Sequence, residues 1–133
     1  MIDYLILPEH RLIVVTNRDL VSIDDITRMR QRLHADSNYS PSYDVLNDSS
    51  RLNSQYSADE IFEFDASELP PIKVAIVAPS DLNFGVARMW QQLTEDHRKA
   101  QVGVFRSSGE ALVWLGRPVS LAVMLNKQYG CQD

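Results

Sequence analysis

Apolar and polar positions change period several times along this chain, and each change marks an element. "YLILPEHRLIVV" holds two apolar runs, residues 4–7 and 12–15, separated by Pro-Glu-His-Arg. The runs read as strands and the proline favours a turn, so an antiparallel hairpin opens the chain. In "SIDDITRMRQRL" the period becomes helical, with Ile23, Ile26, Met29 and Leu33 on one face. Ser22 is a good N-cap, and Asp24 and Asp25 suit the positive first turn. "HADSNYSPSY" closes the helix, with Pro41 as breaker. "YDVLND" reads as the third strand and is followed by a serine-rich turn. A helix then starts at "SADEIF", where Ser57 and Glu60 have capping-box spacing, and two prolines stop it after residue 69.

"IKVAIVAP" is apolar at consecutive positions, the pattern of a central strand covered on both faces. It leads into "SDLNFGVARMWQQLTEDH", a helix capped by Ser80 or Asp81, with Leu82, Val86, Met89 and Leu93 as its expected buried stripe. "QVGVFR" is the fifth strand. "SSGEALVWLG" is a helix capped by Ser107 with Glu110 and stopped by Gly116. The order ββαβαβαβα predicts one α/β domain, a mixed, mostly parallel five-stranded sheet with about four helices and right-handed crossovers. In "RPVSLAVMLNKQYGCQD" the apolar residues fit a helix through Leu121, Met124 and Leu125, or a strand through Val119, Leu121, Val123 and Leu125. Periodicity decides neither. Residues 117–133 are expected to pack on the domain of residues 1–116 or on a partner subunit, because such a run left in water would associate.

Composition narrows the function classes. The chain has 133 residues, the size of one domain, and its net charge is −5. A nucleic-acid partner is not expected, because phosphate binding calls for a basic excess. The cluster Arg28, Arg30 and Arg32 reads as a solvated, ion-paired face beside Asp24 and Asp25. The only cysteine is Cys131, so no disulfide forms within the chain, and a cytoplasmic setting is expected. The longest apolar run, "LAVML", is too short to span a bilayer.

Candidate chemistry is sparse. His10, His34 and His97 lack metal-ligand spacing, so no metal is assigned. There is no G-x-S-x-G elbow, no G-x-G-x-x-G and no Walker loop, so no catalytic residue and no cofactor is assigned. Polar residues do gather at the expected strand ends: Asp48 and Ser49, Ser80 and Asp81, Arg106 and Ser107. Ligands of open α/β sheets bind there, so Asp48, Ser80, Asp81 and Arg106 are rim candidates, although capping alone accounts for these residue types. Phe84, Arg88 and Trp90 on the helix after residue 80 are candidates for a partner surface. Gly85 within that helix suits close helix packing.

The opening "YLILPEHRLIVV", the strand "YDVLND", and "AIVAPSDLNFGVARMW" followed by "VGVFRSSGEALVWLG" resemble the STAS-like superfamily, the SpoIIAA-like fold of bacterial anti-sigma-factor antagonists. The likeness is nearest to an uncharacterised bacterial branch of small stand-alone proteins and covers roughly residues 4 to 116. It implies a domain that binds proteins or small ligands and performs no reaction. Antagonist members are switched by phosphorylation of a serine in an Asp-Ser-Ser-Gly segment that starts the helix after the third strand. "DSSR", residues 48–51, keeps three of those letters and offers Ser49, but close behind the strand. Counting on from "VLND", the position falls on "QYSA" and offers Ser57, with Gln55 and Ala58 in place of the aspartate and glycine. The expected function is a non-catalytic regulatory or protein-interaction module, a homodimer with a regulatory protein as further partner. The alternative is a carrier of a small apolar ligand or lipid, with a pocket under helix 57–69 and Ile61, Phe62 and Phe64 as a lid.

Overall fold

A polar break between two apolar runs becomes a tight hairpin. In the computed structural model, which describes residues 1–53 and 65–129, β1 (Ile2–Leu7) pairs antiparallel with β2 (Leu12–Asp19). The 3₁₀ turn Pro8–His10 joins them. Then α1 (Ile23–Ala35) starts at a reciprocal cap: Ser22 Oγ accepts the Asp25 N–H at 3.1 Å, and Asp25 Oδ2 accepts the Ser22 N–H at 3.0 Å. Next come β3 (Asp44–Leu52), β4 (Lys73–Val77), α2 (Asp81–Thr94), β5 (Gln101–Phe105), α3 (Ser108–Leu115) and α4 (Ser120–Tyr129). The sheet order is β1-β2-β3-β4-β5, and every pairing after the first is parallel. This is the predicted mixed five-stranded α/β sheet, with four α-helices among the described residues.

Side chains alternate across the sheet and build two layers of core. On one face, Leu12, Val14, Leu46, Ala75 and Val77 lie under Ala111, Leu112 and Leu115 of α3 and Leu121 and Leu125 of α4. On the other, Ile13 and Val15 meet Met29 and Leu33 of α1, while Val74 and Ile76 meet Ala87 and Trp90 of α2. β4 is therefore covered on both sides, as its unbroken apolar run predicted. Leu121 and Leu125, four residues apart, share one buried face, and the segment after Gly116 is a helix packed on its own domain. Gly116 takes the left-handed conformation (φ 73°) that ends α3. Gly103 leaves room for the Phe105 and Trp114 rings, 5.4 Å apart; a Cβ there would meet Phe105 at 2.7 Å.

Two expectations are corrected. β3 does not stop at Asp48 but continues through Ser49, Ser50 and Arg51 to Leu52, which faces Asp19 of β2 beyond a register shift. The first half of the serine-rich turn is thus strand, because the end of β2 supplies it with a pairing partner while β3 bulges by one residue between Asp48 and Arg51. The buried face of α2 is made by Asn83, Ala87 and Trp90 rather than by Leu82, Met89 and Leu93. Leu82, Met89 and Leu93 are 56%, 52% and 61% exposed. Asn83 wins its inward place through polar bonds: its Nδ2 donates to Ser49 O at 2.9 Å and to Leu52 O at 3.1 Å. That anchors the first turn of α2 to the extended end of β3.

Candidate functional site

α1 and α2 stand apart on the same face of the sheet. Between them runs a cleft of about 190 Å³. Its floor is Ile13, Val15, Val45, Val74 and Ile76, from three neighbouring strands, and its walls are Met29 and Leu33 of α1 and Val86, Ala87 and Trp90 of α2. Interiors are normally packed to crystal density, so an apolar space of this size is unusual in a small domain. It exceeds the roughly 150 Å³ of an apolar cavity that stays dry and accepts benzene.

The C-terminal ends of β2 and β3 close the cleft with amides. Asn17 Nδ2 donates to Asn47 Oδ1 at 2.6 Å, and Ser49 Oγ donates to the same oxygen at 3.0 Å. Asn17 Oδ1 and Asn47 Nδ2 have no hydrogen bond among the described residues, which leaves one acceptor and one donor at the polar end. Tyr39 and His34 line the opposite end, rings 4.9 Å apart. Burial raises the Tyr39 phenol above its usual pKa, so it stays neutral. Arg30, also on the lining, reaches Glu68 at 2.6 Å. Arg28 of the same basic cluster pairs with Asp25 at 2.8 Å.

The proposed rim is only partly assembled. Arg106 Nη1 donates to Asp81 Oδ1 at 2.7 Å and to Pro79 O at 3.1 Å, beside Ser80, whose Oγ caps α2 by accepting the Asn83 N–H. Asp48 does not join them. It lies inside β3, opposite Val77 and 5% exposed, and its Oδ1 accepts the Ser50 N–H at 2.9 Å. Strand alternation puts Asp48 on the face opposite Asn47 and Ser49. Ser49, a candidate switch in a turn, is instead a buried strand residue bound to Asn47. Ser57, its cap partner Glu60, Ile61, Phe62, Phe64 and Cys131 fall outside the described residues.

The partner-surface residues separate too. Trp90, expected at the exposed edge, is buried at 7% against the sheet. Phe84 is half-buried beneath the Arg106 guanidinium, 4.1 Å from Cζ to the ring centre. Arg88 alone is exposed, donating to Gln91 Oε1 at 2.9 Å. The asparagines at the cleft end were not singled out in the sequence; the only signal for Asn17 and Asn47 is a polar side chain where an apolar strand run breaks off. Among the described residues, no group of three or more His, Cys, Asp or Glu side chains is placed to hold a metal ion. Nor is any helix there long and apolar enough to cross a membrane.

No family model matches the chain, and no curated protein matches it. Among solved structures it is similar to an uncharacterized protein from the DUF3478 family with a SpoIIAA-like fold, from Shewanella loihica PV-4. The two superpose with a TM-score of 0.59 at 17% identity, over 86% of this chain and 92% of that one. Together with the antiparallel hairpin, the parallel strands and the helices on both faces, this establishes that the chain has a SpoIIAA-like α/β fold.

Proposed function

We propose that this chain is a non-catalytic binding module whose working site is the cleft between α1 and α2, and that the cleft holds a small apolar molecule with one polar group. The observation that supports this is the pairing of an apolar floor and walls with the amides of Asn17 and Asn47 at one end, whose second groups are unspent among the described residues. Burial of the ligand body supplies the affinity, and the two amides fix its orientation. The other polar side chains named above act locally: Ser22, Ser80 and Ser107 cap helices, and Asp81 holds Arg106. Native mass spectrometry of gently purified protein tests the proposal. The expected spectrum carries a small apolar adduct, or acquires one when benzyl alcohol is added. A chain that stays bare in both conditions contradicts it.

A second reading, a regulatory module that docks a protein, is favoured by the apolar stripe on α2. Leu82, Met89 and Leu93 stand in solvent beside the exposed Arg88. Burying such a stripe is how a groove-bound helix gains affinity. On this reading Arg88→Glu with Met89→Glu abolishes partner binding and leaves the thermal melt and apolar uptake unchanged.

A further inference from the structure

β1 is an outer strand, and its bonding register shows which of its backbone groups are spent. The Arg18 N–H donates to Met1 O at 2.8 Å, and the pairing continues as Asp3 with Thr16, Leu5 with Val14 and Leu7 with Leu12. In an antiparallel pair the bonded positions alternate. The N–H and C=O of Asp3, Leu5 and Leu7 therefore face β2, and those of Ile2, Tyr4 and Ile6 face outward. The strand is Ile-Asp-Tyr-Leu-Ile-Leu, about 20 Å long. It has no proline, no lysine and no bulge, the usual devices that keep an edge from pairing. Its one charge, Asp3, is neutralised by Arg18 at 2.7 Å.

The opposite edge is treated differently. In β5, which is only five residues long, the outward carbonyl of Val102 accepts Gln91 Nε2 at 2.7 Å. Beside β1 lies an open groove of about 430 Å³ between Tyr4 and Ile6 on the strand and Arg32 and Asp36 at the end of α1. Tyr4 Oη donates to Asp36 Oδ2 at 2.9 Å, so the lip of the groove is fixed in place.

We propose that β1 pairs antiparallel with β1 of a second copy of this chain, joining two five-stranded sheets across a two-fold axis at Tyr4. The sequence is self-complementary in this register. Ile2 meets the partner's Ile6, Tyr4 meets the partner's Tyr4, and Asp3 falls opposite the partner's Leu5, so no like charges face each other. The lip is self-complementary as well. It carries one cation, Arg32, and one anion, Asp36, one helical turn apart, and the axis sets each against the opposite sign on the other copy. Three facing pairs with two bonds each give about six new backbone hydrogen bonds. Of the pairing residues only Ile2 also lines the cleft, and Tyr4 and Ile6 do not, so apolar binding and strand pairing are read by separate measurements.

Amide hydrogen exchange of the full chain, read residue by residue at low and at high protein concentration, tests this. The amides of Tyr4 and Ile6 exchange freely in the dilute protein and slow by about tenfold or more as the dimer forms, while those of Leu5 and Leu7 are protected throughout. Tyr4→Pro removes one outward donor and spares every bond to β2; sedimentation velocity then shows a monomer at concentrations where the parent chain is dimeric. Fast exchange at Tyr4 and Ile6 at every concentration overturns the proposal, whether the protein stays monomeric or associates through another face.

Discussion

Replacing Arg117 by alanine removes one guanidinium that ties four parts of the fold together. Its Nη1 meets Asp44 Oδ2 at 2.9 Å, at the start of β3. Its Nε donates to His10 O and its Nη2 to Arg11 O, both at 2.9 Å, in the turn between β1 and β2. Nη1 also reaches Leu115 O at the end of α3. The other oxygen of Asp44 accepts the Lys73 N–H at 2.8 Å, which brings in β4. Both side chains of the ion pair are about four-fifths buried, at 19% and 18% exposure. Breaking a fully buried pair from one side costs about 3–5 kcal/mol, because the surviving charge is stranded. An exposed pair is worth about 0–1 kcal/mol. Scaled for a fifth of the surface remaining in water, Arg117→Ala should cost about 2–4 kcal/mol, or a fall in Tm of about 10 °C for a domain of this size. Urea unfolding followed by the fluorescence of Trp90 and Trp114 measures the loss. Arg106→Ala is the control: it breaks a pair whose Asp81 carboxylate is 97% exposed and should cost under about 1 kcal/mol. In the Arg117→Ala background, Asp44→Asn should restore part of the stability, since it removes the stranded charge and keeps an acceptor for Lys73. An Arg117→Ala loss no larger than that of Arg106→Ala would refute the reasoning.

Three further outcomes follow from the same geometry. Gly85→Ala should stabilise the chain by about 1 kcal/mol in chemical denaturation, because a Cβ at Gly85 meets nothing within 4 Å and alanine is the better helix former. Leu93→Ser should shift stability by no more than about 0.5 kcal/mol, whereas Trp90→Ala should cost about 3–5 kcal/mol; the two calorimetric melts separate an exposed α2 stripe from a buried one. The backbone N–H of Ser22, bonded to its carboxylate, holds Asp25 below the usual carboxylate pKa. Its contribution is therefore complete above about pH 4 and fades as the pH falls through the lowered value. Asp25→Asn should flatten that part of an acid titration of stability, and an unchanged profile would contradict the cap.

The elements legible in the sequence are those whose signals are local. The Pro-Glu-His-Arg break, the caps at Ser22, Ser80 and Ser107, and the stop at Gly116 need no distant partner to act, and all appear where the residues place them. The misreadings concern faces and lengths that only tertiary packing decides. On α2, Leu82, Val86, Met89 and Leu93 have ideal helical spacing, yet small Ala87 and polar Asn83 turn inward, because the sheet approaches closely there and two carbonyls of β3 await a donor. Asp48, Ser49 and Ser50 look like a turn on propensity, but the end of β2 holds them as strand. The segment after residue 116 carries helical and strand periods equally, and α3 and the sheet select the helix by burying Leu121 and Leu125. An apolar pocket is expected under helix 57–69, whose residues 57–64 lie outside the described ones; the cleft's own apolar residues look like any core in the sequence, and among the described residues it is the spacing of α1 and α2 that leaves them uncovered.

The account rests on that cleft being open to an apolar guest while the opposite core is closed, and methyl NMR of the protein titrated with benzene tests this most directly. The account predicts saturable shifts in the methyl groups of Val45, Val74 and Ile76, with those of Leu112, Leu121 and Leu125 on the other face unmoved. Shifts that fail to saturate, or that appear equally on both faces, would contradict it.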